Sequence, residues 1–101
     1  MNITHPASAG SLESSDIIVT LKPARQGIRI DLESSVKEQF GAQIEKLISQ
    51  TLEELGIDAA EVQAQDQGAL DCTIKARTLV AAYRAADRED YDWEGINSWI
   101  G

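Results

Sequence analysis

Residues 17–33 read IIVTLKPARQGIRIDLE. In both halves of this stretch every second side chain is apolar: Ile17, Val19 and Leu21, then Ile28, Ile30 and Leu32. Such alternation is typical of β-strands that have one buried side and one side facing solvent. Between the halves, residues 23–27 (PARQG) have the composition of a turn. The sequence therefore predicts a β-hairpin with one wet face.

A long amphipathic helix is predicted directly after this hairpin. Ser35 and Glu38 have the spacing of a capping box, in which each side chain satisfies a backbone donor of the other's residue. Gly56 is a suitable C-terminal cap. Between these points apolar residues recur at helical spacing: Val36, Phe40, Ile44, Leu47, Ile48, Leu52 and Leu55.

The second half of the chain carries weaker signals. Residues 61–65 predict a short strand in which only Val62 and Ala64 face inward. Leu70, Cys72 and Ile74 also alternate, but the alanine-rich stretch up to residue 86 favours a helix over residues 69–86. The predicted fold class is α+β, with a small sheet of about three strands and two helices packed on one face.

The remaining segments are predicted to lie outside this core. Residues 1–16 contain small and hydroxylated side chains, which indicates a flexible N-terminal arm. Residues 17–86 form the single α+β domain. Residues 87–101 form an acidic tail that contains Trp93 and Trp99.

Composition restricts the possible functions. The chain has 101 residues, 43% hydrophobic and 26% charged, which suits one globular domain. A net charge of −8 disfavours nucleic acid and anionic membranes as partners, since both select basic surfaces. The sequence has no apolar stretch of transmembrane length and no signal-peptide pattern, so we expect a cytoplasmic protein.

The sequence offers little for catalysis. The single histidine, His5, lies in the predicted arm, and with the single Cys72 it gives too few ligands for a zinc site. Cys72 is predicted to be a packing residue. We therefore expect no catalytic residues and no metal.

The N-terminal arm contains a cluster of hydroxyl and carboxyl groups. Ser11, Ser14 and Ser15 accompany Glu13 and Asp16 just before the first predicted strand. One interpretation is a turn, because serine and aspartate bond to nearby backbone groups. The other is an exposed serine that a second enzyme modifies covalently. Composition alone favours the turn.

Three blocks resemble the acyl carrier protein of citrate lyase, its small gamma subunit. They are AGSLESSD at residues 9–16, SSVKEQFG at residues 34–41, and GALDC at residues 68–72 followed by KAR at residues 75–77. Their order and separation match from about residue 3 to residue 86. The common fatty-acid acyl carrier is a four-helix bundle with an aspartate-serine-leucine motif at a helix start, whereas this chain predicts an α+β fold.

The resemblance implies a non-catalytic carrier subunit. In that family a serine hydroxyl, here Ser14, bears 2'-(5''-phosphoribosyl)-3'-dephospho-coenzyme A through a phosphodiester. The arm's thiol carries acetyl and citryl thioesters between an alpha subunit, the acyl transferase, and a beta subunit, the citryl lyase. Glu13 and Asp16 would be recognised by the transferase that installs the group. Some members have glycine after the modified serine, where this chain has Ser15.

Three alternatives remain at this stage. The carrier subunits of malonate decarboxylase and of citramalate lyase use the same kind of arm. An acidic adaptor without a cofactor, binding partners through Trp93 and Trp99, belongs to a different class of function.

Overall fold

The structure is a computed structural model and describes residues 1–87. Along the chain the elements are β1 (Ala7–Gly10), β2 (Ile17–Lys22), β3 (Gly27–Ser34), α1 (Lys37–Glu54), β4 (Ala59–Asp66) and α2 (Asp71–Ala85). The predicted α+β class is confirmed, with four strands rather than three and two helices. The tryptophans of the predicted tail lie outside the described residues.

The strands form one mixed sheet in the order β1-β2-β4-β3. β2 pairs with β1 and β4 in antiparallel fashion, whereas β3 and β4 are parallel. The predicted pairing of β2 with β3 is therefore wrong, since β4 lies between them. Helix α1 explains the arrangement, because it returns the chain so that β4 can run parallel beside β3. A four-residue connection is long enough to pass the end of one intervening strand.

Strand β4, which the sequence predicts as short and weak, is longer than expected and has a neighbour on each side. Its inward side chains are Ala60, Val62 and Ala64, and all three are buried. These side chains lie on the face of the sheet that the helices cover. The helices pack against each other and on this face, and the core is completed by larger residues from every layer: Ile17, Val19, Leu21, Leu32, Ile44, Ile48, Leu52 and Ile74.

Strand β1 lies in residues 1–16, which the sequence predicts to be a flexible arm that contributes nothing to the core. Ala9 is buried against β2, and the backbone N–H groups of Thr4 and His5 donate to the carbonyl of Ala85 at 2.9 and 3.2 Å. The prediction of no regular structure in residues 1–16 is therefore wrong for Ala7–Gly10. Short side chains allow this edge strand to lie under the end of α2.

Both predicted helices are confirmed, but the start of α1 differs from the prediction. No side chain caps α1, so the predicted Ser35–Glu38 capping box is absent. Instead Ser34 Oγ accepts the N–H of Val36 at 3.1 Å. At the other end Gly56 has a φ of +72°, and the N–H of Ile57 donates to the carbonyl of Leu52, which is a Schellman ending.

Within residues 1–87, neither helix is long and apolar enough to span a bilayer.

Candidate functional site

Three serines of the N-terminal segment, Ser11, Ser14 and Ser15, lie at one end of the sheet. β2 is antiparallel to β4, so the turn before β2 meets the residues that follow β4. The middle of α2 reaches the same place through Arg77, whose side chain contacts Asp16. Segments distant in sequence therefore surround a turn of six residues, residues 11–16.

Two backbone hydrogen bonds attach this turn to the end of β4. The N–H of Ser15 donates to the carbonyl of Gln67 at 2.8 Å, and the N–H of Gln67 donates to the carbonyl of Asp16 at 2.8 Å. Two residues just before β2 thus face a single residue just after β4, which is the hydrogen-bond pattern of a β-bulge. Ser15 is the first residue of the bulge and has a φ of +64°, which is the left-handed conformation. In a G1 bulge this first position is usually occupied by glycine.

The backbone just before the bulge turns sharply. The N–H of Asp16 donates to the carbonyl of Glu13 at 3.1 Å, so Ser14 and Ser15 are the two central residues of a β-turn. Only the second of them has a positive φ, as in a type II turn, where glycine is favoured at that place. Ser15 therefore occupies the position where glycine would be the unstrained residue. Ser14 occupies the apex.

The carboxylate of Asp16 organises the side chains of the turn. Ser11 Oγ donates to Asp16 Oδ2 at 2.6 Å, and the N–H of Ile17 donates to Oδ1 at 2.7 Å. Arg77 donates from Nε to Oδ1 at 3.1 Å and from Nη2 to Oδ2 at 2.9 Å, which is a two-point contact. The side chain of Asp16 is only 13% exposed. The bonds from Arg77, followed by those from Ser11 and Ile17, lower the pKa of Asp16 to about 2.

These contacts distinguish the three serines. The hydroxyl of Ser11 is engaged by Asp16 and also accepts the N–H of Glu13 at 3.3 Å. The side chains of Ser14 and Ser15 are exposed and have no hydrogen-bond partner among residues 1–87. Ser14 alone combines a free hydroxyl with the apex of the turn and an unstrained backbone.

The two acidic residues proposed for recognition have different surroundings. Glu13 is exposed beside Ser14, where a partner could contact it directly. The carboxylate of Asp16 faces inward and is saturated by Arg77, Ser11 and Ile17. Its recognition by another protein stays a prediction, whereas its contacts show that it positions the turn.

Other titratable groups do not assemble into a reactive site in the described part of the chain. His5 Nε2 lies 2.7 Å from Asp87 Oδ1 on the surface, and this hydrogen bond raises the pKa of His5. Cys72 is half-buried in the first turn of α2 rather than in the core. No group of three or more metal-ligating side chains occurs in residues 1–87.

A buried carboxylate and a pocket lie next to the turn, and the sequence did not reveal either. Asp66 is 1% exposed and accepts Ser34 Oγ at 2.8 Å, the N–H of Gly68 at 3.2 Å and the N–H of Ala69 at 2.9 Å. Asp66 thereby connects the ends of β3 and β4 to the segment that leads into α2. A pocket of about 490 Å³ opens beside it, lined by the N-terminal parts of both helices and by Asp66, Gly68 and Ala69. The only sequence signal was an aspartate two residues before a glycine, which is common in turns.

Comparison with known proteins gives consistent matches. Residues 4–85 match the family model described as "ACP: Malonate decarboxylase delta subunit (MdcD)". The citrate lyase acyl carrier protein of Lacticaseibacillus casei is 60% identical over 99% of both chains, and that of Streptococcus mutans is 61% identical over 98% of both. A chain in the crystal structure of a Pseudomonas malonate decarboxylase hetero-tetramer aligns with a TM-score of 0.63. That alignment covers 83% of this chain and 90% of the other at 21% identity, which shows a shared fold.

Proposed function

Because this chain belongs to the citrate lyase acyl carrier protein family, a family of non-catalytic subunits, we propose that Ser14 is its point of covalent attachment for a prosthetic group. The observation that carries the proposal is the position of Ser14. Its hydroxyl is exposed at the apex of a turn that Gln67 and Arg77 hold in place. A carrier needs such a point, accessible to several enzymes in turn.

The proposed group is 2'-(5''-phosphoribosyl)-3'-dephospho-coenzyme A, joined through a phosphodiester. When bound, it supplies a terminal thiol that holds acetyl and citryl units as thioesters during cleavage of citrate to acetate and oxaloacetate. The residues present fit this group, since Ser14 offers an unbonded hydroxyl and nothing among residues 1–87 covers it. The mobility comes from the group, because the turn itself is bonded to β4 and α2.

The attachment step needs little from this chain. Ser14 Oγ forms a bond to phosphorus of an activated phosphoryl donor, while the bond from phosphorus to the leaving group breaks and the leaving group takes the electron pair. The serine proton passes to a base on the modifying transferase, since residues 1–87 place no base on Ser14. This chain contributes the position and the orientation of the Ser14 hydroxyl. Asp16 and Arg77 hold the turn so that the hydroxyl faces outward.

The proposed partners are the alpha and beta subunits of citrate lyase and the prosthetic-group transferase, in the cytoplasm. Glu13 is exposed next to the modified residue and would contact basic groups of these proteins. Asp16 would contribute by shaping the surface that they recognise. The net charge of −8 would speed encounters with basic partner surfaces, an effect that falls as salt increases.

Mass spectrometry after co-expression with the modifying enzymes tests this proposal. The intact wild-type chain should gain one prosthetic group, and the peptide spanning residues 1–25 should carry it on Ser14. Ser14→Ala should fold normally and stay unmodified, while the matched variants Ser11→Ala and Ser15→Ala should still be modified. A group on Ser11 or Ser15, or on the Ser14→Ala protein, would overturn the assignment. An unmodified wild-type chain would favour the adaptor alternative.

A second candidate is the carrier subunit of malonate decarboxylase, which the description of the matching family model favours. The modified protein should be tested with the catalytic subunits of each system. Turnover of citrate but not malonate would support the first candidate. The reverse result would support the second, while Ser14 would remain the attachment point in both. Turnover of citramalate alone would identify the third system.

A further inference from the structure

We propose that the pocket beside residues 11–16 holds the neutral, pantetheine part of the prosthetic group attached to the same chain. This inference rests on the proposed function, since it needs a group on Ser14. It adds a resting position for that group on the carrier itself, between visits to the enzymes.

The lining of the pocket suits an uncharged flexible chain. Its apolar residues are Val36, Phe40, Ile44, Leu70 and Ile74. Phe40 and Leu70 are 46% and 69% exposed, and they are two of the three large hydrophobic side chains that are exposed within residues 1–87. Exposed apolar side chains that converge on one concavity indicate a binding surface more often than isolated ones do.

The pocket and the turn of residues 11–16 both contact the same backbone segment, residues 66–68. Asp66 and Gly68 line the pocket, and Gln67 between them makes both hydrogen bonds to Ser15 and Asp16. The turn that bears Ser14 is therefore hydrogen-bonded directly to the segment that forms the pocket wall. No rearrangement of the fold is needed to bring the two together.

Charge decides which part of the group enters. Asp66 and Asp71 both line the pocket, and carboxylates disfavour the phosphates of the group. Gln43 lies at the same place, its Nε2 donating to the carboxylate of Asp71 at 3.2 Å, so amides already find polar partners at this rim. The pantetheine part combines apolar methyl and methylene groups with amides and carries no charge.

Tethering makes even weak binding sufficient. The phosphoribosyl and nucleotide parts of the group tether the pantetheine part to Ser14. At an effective concentration of about 1 mM, an intrinsic Kd of about 1 mM would fill the pocket roughly half of the time. The volume of about 490 Å³ is typical of small-ligand sites. A protein partner would instead need about 800 Å² of surface on each side. The pocket therefore fits a chain-like ligand better than a protein interface.

The first experiment compares NMR spectra of the unmodified and modified chain, after intact mass has shown that modification occurred. Methyl and amide signals of Ile44, Leu70 and Ile74 should shift on modification, while those of Ile28 and Ile30, toward the opposite end of strand β3 from the pocket, should not. Absence of the group by mass would count against the proposed function. A modified chain without shifts at the pocket would overturn only this inference.

The second experiment measures how fast the arm's thiol reacts with a thiol reagent. Cys72→Ala is the background, because it removes the chain's own thiol. Leu70→Glu should increase the rate about twofold by emptying a half-filled pocket. Gln63→Glu is the matched control, since it adds the same charge at an exposed position of β4 that does not line the pocket, and it should leave the rate unchanged.

Equal rates for Leu70→Glu and its background would overturn the inference. So would shifts at Ile44, Leu70 and Ile74 that appear only when a catalytic subunit is added, because they would assign the pocket to a protein partner. Circular dichroism of each variant establishes that the fold is intact before rates are compared.

Discussion

Two connections flank strand β2, and they differ in how they are held. The turn of residues 11–16 is attached to β4 through Gln67 and to α2 through Arg77. The connection of residues 23–26 is exposed throughout, and none of its residues has a hydrogen-bond partner within residues 1–87. The sequence predicts the opposite assignment, with an unstructured arm before β2 and the tight turn of a hairpin after it.

The difference shows what local composition can and cannot indicate. Both segments contain turn-forming residues, so composition identifies each as a place where the chain changes direction. Which one is a true hairpin depends on the strand that lies alongside, and β1 beside β2 makes the first connection the hairpin. The bonded connection is also the one that presents Ser14.

Replacing the glycine beside each connection should give the largest difference in the free energy of unfolding between the two connections. Gly10 and Gly27 both have positive φ values, +105° and +76°. A Cβ on Gly10 would overlap the carbonyl oxygen of Ile17, whereas a Cβ on Gly27 would meet nothing within 4 Å. We expect Gly10→Ala to lower the free energy of unfolding by about 3 kcal/mol or more, and Gly27→Ala to lower it by about 1 kcal/mol through backbone strain alone.

Urea unfolding followed by circular dichroism measures both variants. If both variants have the m-value of the wild type, the substitutions have not changed the surface that is exposed on unfolding. Similar losses of unfolding free energy for the two substitutions would mean that the turn of residues 11–16 is no more tightly packed than the connection of residues 23–26.

Removing the charge of Asp16 should have an intermediate effect. Asp16→Asn places an amide opposite Arg77 and loses charge-assisted hydrogen bonds, so we expect a loss of about 1–2 kcal/mol in unfolding free energy. Asp31→Asn on the exposed face of β3 is the control and should stay within about 0.5 kcal/mol of the wild type. Equal effects would show that the Arg77 contact does not hold the turn.

The same contact predicts a pH dependence. Folding lowers the pKa of Asp16 from 3.8 to about 2, so its stabilisation is fully present above pH 4 and is lost as the pH falls from about 4 to about 2. The difference in stability between wild type and Asp16→Asn should therefore shrink over this interval. A difference that stays constant down to pH 2 would contradict the assigned cause.

Relieving the strain at Ser15 should have the smallest effect, and a favourable one. Glycine adopts a φ of +64° without the penalty of a side chain, which is about 1–2 kcal/mol, but it adds entropy to the unfolded chain. We expect Ser15→Gly to raise the free energy of unfolding by about 0.5 kcal/mol and to leave Ser14 available for modification. Ser14→Gly is the contrast, since that position has no positive φ, and it should not stabilise. A loss of stability in Ser15→Gly would contradict the turn assigned to residues 13–16.

Sequence periodicity predicted the elements better than their arrangement. Both helices follow from apolar spacing, and β2 and β3 follow from alternation, because each element buries one side. Pairing was missed because it depends on β4, whose inward alanines give a weak hydrophobic signal although they lie at the centre of the sheet. The first strand was missed for the same reason, since Ala7 and Ala9 are small.

The proposed attachment serine could be indicated from sequence only through resemblance, since three hydroxyls within five residues are equivalent by composition. Ser11 is set apart by its bond to Asp16, and Ser15 by its positive φ in the bulge with Gln67, which is more than 50 residues away along the chain. Glu13 is exposed, as its predicted recognition role requires, but the inward orientation of Asp16 could not be predicted. It depends on where α2 places a guanidinium.

The bonds between the turn and Gln67 also bear on how this chain can evolve. They join backbone atoms only, so substitution of Gln67 by any residue other than proline leaves both donor and acceptor in place. Mutational drift at that position can therefore alter the surface around Ser14, the proposed attachment residue, while the shape of the turn is inherited unchanged.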